Sequence, residues 1–198
     1  MSENLKNQII WDDFRRGSKK ALELIYEDHY ASLYHYGKKF CKDQDLVKDL
    51  IQELFIELID SGSKLSPTDN IRFYLLRALR HKLIKQLAEK SKFSASVQEG
   101  SDFDLIDSIE SQLIIRETED QLRTRIISAI KKLSAKQQEI IYLRFYCDLS
   151  YTEIAGVFDV NIQTGRNLMN RAISSLKEDL RINSFTKHLI LFCLKLSV

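Results

Sequence analysis

Polar side chains that can read DNA bases line one side of a helical pattern near the end of the chain. At roughly 100° per residue, Leu168, Met169 and Leu176 gather on one side of this pattern. The residues opposite them are Gln163, Arg166, Asn167, Asn170, Ser174 and Lys177. Asn and Gln can hydrogen-bond adenine through two atoms, Arg can do the same with guanine, and Lys and Ser can bind phosphate. The pattern predicts a helix that enters the major groove.

A shorter helix is predicted just before this one, over residues 151–158. Ser150 can cap its first turn, and Glu153 stands where a capping box places an acidic residue. Residues 159–161 form a turn of the length that a helix-turn-helix needs, and Ala155 is small enough to let the two helices cross closely. The alternative is an ordinary helical hairpin whose polar side faces solvent.

A second candidate nucleic-acid surface lies on a helix that starts after Asp69 or Asn70. Its apolar stripe contains Leu75, Leu76, Leu79, Leu83 and Leu87, and the opposite face contains Tyr74, Arg77, His81 and Lys85, flanked by Phe73 and Arg80. Cations can follow the phosphates of a single strand while aromatic rings stack on unpaired bases. The same residues could instead form a solvated helix edge, with Phe73 in the core.

An acidic helix is predicted between Asp45 and Asp60, with leucines at every fourth position from Leu46 to Leu58. Its outward positions include Asp49, Gln52, Glu53 and Glu57. Such a face is either solvated or docks on a basic partner surface.

These helices imply an all-α fold of two small helical domains joined by a flexible linker, the second domain containing the helix-turn-helix. The chain has 198 residues with only one Pro and six Gly. Two further helices are expected at 11–17 and 19–41. We expect an N-terminal domain over residues 1–90, a Ser- and Asp-rich acidic linker over 91–111 and a C-terminal domain over 112–182, whose first helix runs to Leu133. Residues 183–198 form an apolar tail, interpreted as a terminal helix that packs on the preceding domain or as a contact for a protein partner.

Enzyme chemistry has little support in the sequence. No Gly-rich phosphate loop, His/Cys ligand cluster or nucleophile with a partnered base occurs, so we expect no catalytic residues, metal, cofactor or small-molecule substrate. The three cysteines are widely spaced, which indicates buried thiols in a reducing cytosol. The first residues lack the pattern of a signal peptide, and the apolar tail is too short to span a bilayer. We therefore expect a cytoplasmic protein.

Several segments, in the same order, resemble those of extracytoplasmic function (ECF) RNA polymerase sigma factors of the sigma-70 family. In the first half these are FRRG at 14–17, DLIQELF at 49–55 and NIRFYLLRALR at 70–80. In the second half they are LSAKQQE at 133–139 and LSYTEIA at 149–155. The resemblance covers about residues 10–90 and 115–180. The amino-acid sequence at 70–75, NIRFYL, is similar to that of members from the Bacteroidetes.

The resemblance implies a role for each of the three surfaces. Asp49, Gln52, Glu53 and Phe55 would bind core RNA polymerase, whose beta-prime and beta subunits are the expected partners. Phe73, Tyr74, Arg77, Arg80, His81 and Lys85 would read the melted minus-ten element of promoter DNA. Gln163, Thr164, Arg166, Asn167, Asn170 and Arg171 would read the minus-thirty-five element, the acidic linker would thread a basic polymerase channel, and an anti-sigma factor is an expected partner.

Three positions depart from the family pattern: His81 replaces the usual Asn, Asp159 the Gly of the turn, and Gly165 a Val or Ile of the recognition helix. Because a Gly inside a helix costs about 1 kcal/mol relative to Ala, we expect the free protein to be loosest around Asp159 and Gly165. Two alternatives to a sigma factor stay open at this point: a stand-alone helix-turn-helix regulator that binds duplex DNA as a dimer, and a protein-interaction module.

Overall fold

The structure is a computed structural model that describes residues 3–93, 103–106 and 120–180. The chain divides into two compact units, Met1–Gln98 and Glu99–Val198, and each is described by itself. Regular structure in the described residues is helical, as predicted. None of the described helices has the length and apolar character needed to cross a membrane.

The first unit contains four α-helices: α1 Glu3–Arg15, α2 Lys19–Gly37, α3 Gln44–Ser61 and α4 Ile71–Phe93, with a short 3-10 turn at Gly62–Lys64. Ser18 caps α2 and Asp43 caps α3, each accepting a backbone N–H from three residues ahead. Two predicted boundaries are wrong. The first helix starts at Glu3 rather than at residue 11, and α2 ends at Gly37 rather than at residue 41.

The core of this unit lies between α4 and the other three helices. Leu75, Leu76, Leu79 and Leu83 are fully buried, as the apolar stripe predicted, whereas Leu87 is half-buried. Trp11 is also fully buried, and its indole N–H donates to the Ser66 carbonyl at 2.9 Å. This bond ties α1 to the loop that leads into α4, the helix that carries the second candidate surface.

A close approach of α2 and α3 requires a glycine at position 37. A Cβ at Gly37 would lie only 2.5 Å from Cγ1 of Val47, which is itself fully buried. The two helices can therefore pack at this distance only if residue 37 has no side chain.

The second unit contains four further helices: α5 Asp120–Lys131, α6 Ala135–Phe145, α7 Tyr151–Phe158 and α8 Ile162–Leu180. Both α6 and α7 begin with a complete capping box, in which the Ser134 and Ser150 hydroxyls accept N–H groups of Gln137 and Glu153. The capping box predicted at Ser150 is thus confirmed, with the Glu153 carboxylate accepting the Ser150 N–H at 2.7 Å. The helix predicted from residue 112 ends at Lys131, and its start lies outside the described residues.

Two residues that were assigned to the linker are packed into the second unit. Phe103 is 2% exposed and Leu105 is completely buried. At the other end of the predicted linker, α4 continues through Phe93. The rest of the predicted linker and the apolar tail at 183–198 lie outside the described residues.

Candidate nucleic-acid interface

Helix α8 separates its polar and apolar residues as the sequence predicted. Its buried side contains Gly165, Met169, Ala172 and Leu176, which face the rest of the second unit. The six predicted DNA-reading residues of this helix are all exposed: Gln163, Thr164, Arg166, Asn167, Asn170 and Arg171. This arrangement leaves the donors and acceptors of one helix face accessible to the edges of base pairs.

The turn between α7 and α8 is fixed by residues that suit its geometry. Asp159 ends α7 in the left-handed conformation, with φ of 53°, a region in which Asp is one of the better tolerated residues after Gly. The Asn161 side chain then accepts the Thr164 N–H at 2.7 Å and so caps the first turn of α8. Asp can replace the family's usual Gly here because its short side chain tolerates this conformation.

Arg166 is positioned by an aromatic ring from the preceding helix. Its guanidinium carbon lies 5.9 Å from the centre of the Tyr151 ring, and that of Arg144 lies 5.5 Å from the same ring. Arg144 also donates to the Leu149 carbonyl at 2.8 Å, which anchors it to the start of the helix-turn-helix. Both guanidinium groups therefore lie beside the Tyr151 ring, at one end of the exposed face of α8.

The exposed face of α4 is narrower than the sequence predicted. Arg77, His81 and Lys85 are exposed, whereas Phe73 and Tyr74 are half-buried. The Asn70 side chain accepts the Phe73 N–H at 3.0 Å, which confirms Asn70 as the cap.

Tyr74 is held by α1. Its ring packs 4.9 Å from that of Trp11. Burial, with a smaller contribution from the carboxylate of Glu57, raises the pKa of the Tyr74 phenol above its ordinary value. The half-buried Tyr74 ring is therefore fixed against α1 by its contact with Trp11.

Arg80 is buried, unlike the predicted minus-ten residues Arg77, His81 and Lys85. It is only 7% exposed, because it follows the buried Leu76 by four residues and so stands beside the apolar stripe. A contact between Arg80 and DNA would require this side chain to turn out of the core.

The predicted polymerase-binding face of α3 is exposed at its polar positions, Asp49, Gln52 and Glu53. Phe55 is only 6% exposed, and its ring meets that of Tyr26 edge-on at 5.0 Å. Phe55 thus belongs to the packing between α2 and α3, and Tyr26, which is 44% exposed, forms the accessible part of this aromatic pair.

Sequence reasoning missed Lys82, which links the acidic helix to α4. Its ammonium lies 2.6 Å from a Glu57 carboxylate oxygen and 3.6 Å from one of Glu53. The side chain of Lys82 is 16% exposed, whereas those of Glu53 and Glu57 are 61% and 67% exposed, so a largely covered ammonium meets two solvent-facing carboxylates. No local spacing could have revealed it, because the partners are 25 and 29 residues away in the chain.

Two family models match the chain. Residues 25–93 match sigma-70 region 2 and residues 123–176 match sigma-70 region 4, which together are more than half of the 198 residues. Bacteriocin UviA of Clostridium perfringens is 28% identical over 91% of this chain and 100% of its own length. The ECF RNA polymerase sigma factor SigX of Bacillus subtilis is 22% identical over 83% of this chain and 86% of its own.

A solved structure has the same fold. It is that of the sigma factor RpoE in complex with the anti-sigma factor NepR from Bartonella quintana, with a TM-score of 0.56 and 20% identity, and the match covers 83% of this chain and 97% of that one.

The chain belongs to the sigma-70 family, as an ECF sigma factor with regions 2 and 4. It is accordingly not an enzyme but an initiation factor that binds core RNA polymerase and directs it to specific promoters. This confirms the function that the sequence predicted.

Proposed function

We propose that each of the three exposed surfaces performs one step of promoter-specific initiation. Asp49, Gln52 and Glu53 of α3 dock on core polymerase, α4 engages the melted minus-ten element, and α8 reads the minus-thirty-five duplex. The observation that carries this assignment is the exposure of all six reader residues of α8, opposite a side on which Gly165, Met169, Ala172 and Leu176 are buried.

The contact of Lys82 with Glu53 and Glu57 supports a link between the first two steps. Lys82 lies on α4, the proposed minus-ten helix, and its partners lie on α3. Polymerase binding at Glu53 therefore changes the surroundings of a side chain of α4. Arg77, His81 and Lys85 remain exposed on α4 and supply the cations and the ring that a single strand needs.

We extend the proposal to where the protein works and what controls it. It acts in the cytoplasm, where its polymerase partner is found. An anti-sigma factor controls it by covering the acidic face of α3, since a partner bound there excludes polymerase. The polymerase and DNA contacts proposed here lie within residues 1–90 and 112–182, although α4 continues through Phe93 and residues 103–106 pack into the second unit.

Reconstituted transcription tests the proposal. Core RNA polymerase and the full chain are incubated with a library of randomised promoters, and the templates that yield transcripts are sequenced. We expect enrichment of two sequence blocks at a preferred separation. Variants then assign the surfaces: Arg166→Ala should alter only the upstream block and Arg77→Ala only the downstream one. Loss of both blocks in either variant would contradict the assignment.

A further inference from the structure

A short segment near the beginning of the second unit packs against the helices of that unit. Phe103 packs its ring 5.8 Å from that of Tyr142, at an interplanar angle of 61°, and Leu105 is completely buried. Asp104 between them is exposed, and its carboxylate accepts the Ile106 N–H at 2.9 Å. Residues 103–106 are hereafter called the strap.

Gln138 of α6 holds the strap through the oxygen of its amide, while the amide nitrogen anchors the side chain to the turn before α6. Its carbonyl oxygen accepts the Leu105 N–H at 3.0 Å, and its NH₂ group donates to the Leu133 carbonyl at 3.1 Å. Gln138 is itself only 8% exposed. A buried amide with both ends satisfied fixes the strap in one register, because any shift would leave buried polar groups unpaired.

The docked strap shortens the covalent connection between the two DNA readers. Nine residues, 94–102, separate Phe93 at the end of α4 from Phe103. A chain of this length reaches at most roughly 35 Å. Release of the strap would lengthen this connection by at least residues 103–106, which adds roughly 14 Å to its maximum reach.

We propose that Phe103, Leu105 and Gln138 are positioning residues that set which spacings between the two promoter elements the protein uses. This inference rests on the proposed function of α4 and α8. Each added base pair moves the upstream element by roughly 3.4 Å. A connection that cannot span two sites lowers the effective concentration of the second reader toward zero, whereas a longer one restores it. The short connection therefore selects against long spacers.

The test measures initiation on one promoter whose spacer is varied in single base-pair steps. The strap variant Phe103→Ser with Leu105→Ser, and separately Gln138→Leu, is compared with the wild-type chain in complex with core polymerase. We expect the ratio of initiation at long spacers to initiation at the wild-type optimum to rise about tenfold, since the connection then spans separations that were out of reach.

Three controls separate positioning from stability. Asp104→Asn changes an exposed strap residue and should leave the spacer profile unchanged. Ile126→Ala removes buried side-chain volume from α5, whereas the strap contacts Gln138 and Tyr142 lie on α6, and should lower thermal stability without shifting the profile. A six-residue Gly-Ser insertion within 94–102 leaves the strap docked and should shift the profile in the same direction as the strap variants.

In the variant Phe103→Ser with Leu105→Ser, which keeps the Gln138 acceptor, hydrogen exchange at the backbone amide of residue 105 reports whether the strap has detached. An unchanged spacer profile in this variant while that amide exchanges freely would overturn the inference, as would a profile that the Gly-Ser insertion does not move. If the wild-type chain initiated at none of the spacers, the proposed function itself would be overturned. The wild-type measurement alone reveals this outcome, without reference to the variants.

Discussion

Gly165 lies directly against Ala155: a Cβ at Gly165 would be 3.7 Å from the Cβ of Ala155, an ordinary van der Waals distance. Gly165 is buried on α8 and Ala155 on α7, so this pair sets how closely the two helices of the reader cross. Residue 165 therefore has no side chain at a close helix crossing, although the crossing has room for one methyl group.

Gly165→Ala should stabilise the second domain. The methyl group fits against Ala155, and Ala is favoured over Gly inside a helix, so we expect a gain of about 0.5–1 kcal/mol in the free energy of unfolding. Urea denaturation measures it.

The other buried glycine provides the contrast. Gly37→Ala should destabilise the first domain by about 1–3 kcal/mol, because the new Cβ would overlap the Val47 side chain. If Gly165→Ala and Gly37→Ala changed the free energy of unfolding by the same amount in the same direction, the packing at these two glycines would be contradicted.

Glu53→Lys should weaken binding to core polymerase by at least tenfold while leaving the domain folded. The reversed charge faces both the partner and Lys82, but Lys82 keeps its closer contact with Glu57. Surface ion pairs contribute roughly 0–1 kcal/mol, so the cost to stability should be small. Polymerase affinity is measured by fluorescence anisotropy and folding by circular dichroism. Glu23→Lys makes the same charge change on α2 and serves as the control. If it lowered the affinity for polymerase as much as Glu53→Lys does, the proposal that polymerase binds the α3 face would be contradicted.

Arg166→Ala should weaken recognition of the upstream element by about 1–3 kcal/mol if a base contact is lost, and should relax the preference at one position. Tyr151→Leu removes the ring beside Arg166 but keeps the cation, so a smaller loss is expected. Competition between wild-type and substituted promoters, with holoenzyme present, measures both. Lys131→Ala removes one positive charge from α5 and serves as the control. If Arg166→Ala left the preference among promoters unchanged, the proposal that this face of α8 reads the upstream element would be contradicted.

His29 should make the first domain less stable in mild acid. Burial, and secondly the Arg72 guanidinium, lowers the pKa of His29 to about 4, against a smaller opposing effect of Asp28. Its Nδ1 atom is buried without a hydrogen-bond partner. Because the unfolded chain takes up this proton near the ordinary pKa of about 6.5, the stability from neutral His29 is complete above that pH. It is lost as the pH falls from about 6.5 toward about 4.

His29→Leu should remove this dependence. Between pH 7 and pH 5 the wild-type chain should lose about 2 kcal/mol more than the variant, as measured by urea denaturation at each pH. His81→Leu changes an exposed histidine of α4 and should not reproduce the difference. Parallel pH curves for wild type and His29→Leu would show that His29 takes up a proton in the folded state as easily as in the unfolded one.

Local signals predicted the second domain well. A Ser followed three residues later by Glu, then a turn of three residues, fixes the ends of α7 and α8 through contacts within a few positions of the chain. The apolar stripes of α4 and α8 likewise follow from helical periodicity alone. These features need no knowledge of the partner helices.

The residues whose burial the sequence did not reveal are those whose surroundings come from distant parts of the chain. Arg80 and Phe55 flank apolar stripes, and only packing against neighbouring helices decides that they are buried. Phe103 and Leu105 are isolated apolar residues in a Ser- and Asp-rich stretch, without periodicity to distinguish them from a linker. Their burial depends on Gln138 and Tyr142, more than thirty residues away.

The central claim is that polymerase delivers α4 and α8 to DNA together. Footprinting of a selected promoter, with the chain alone and with core polymerase added, tests it most directly. The account predicts sequence-specific protection of the upstream element and melting of the downstream one only when core polymerase and the chain are both present. Protection of a palindromic site by the chain alone, unchanged on adding polymerase, would contradict it.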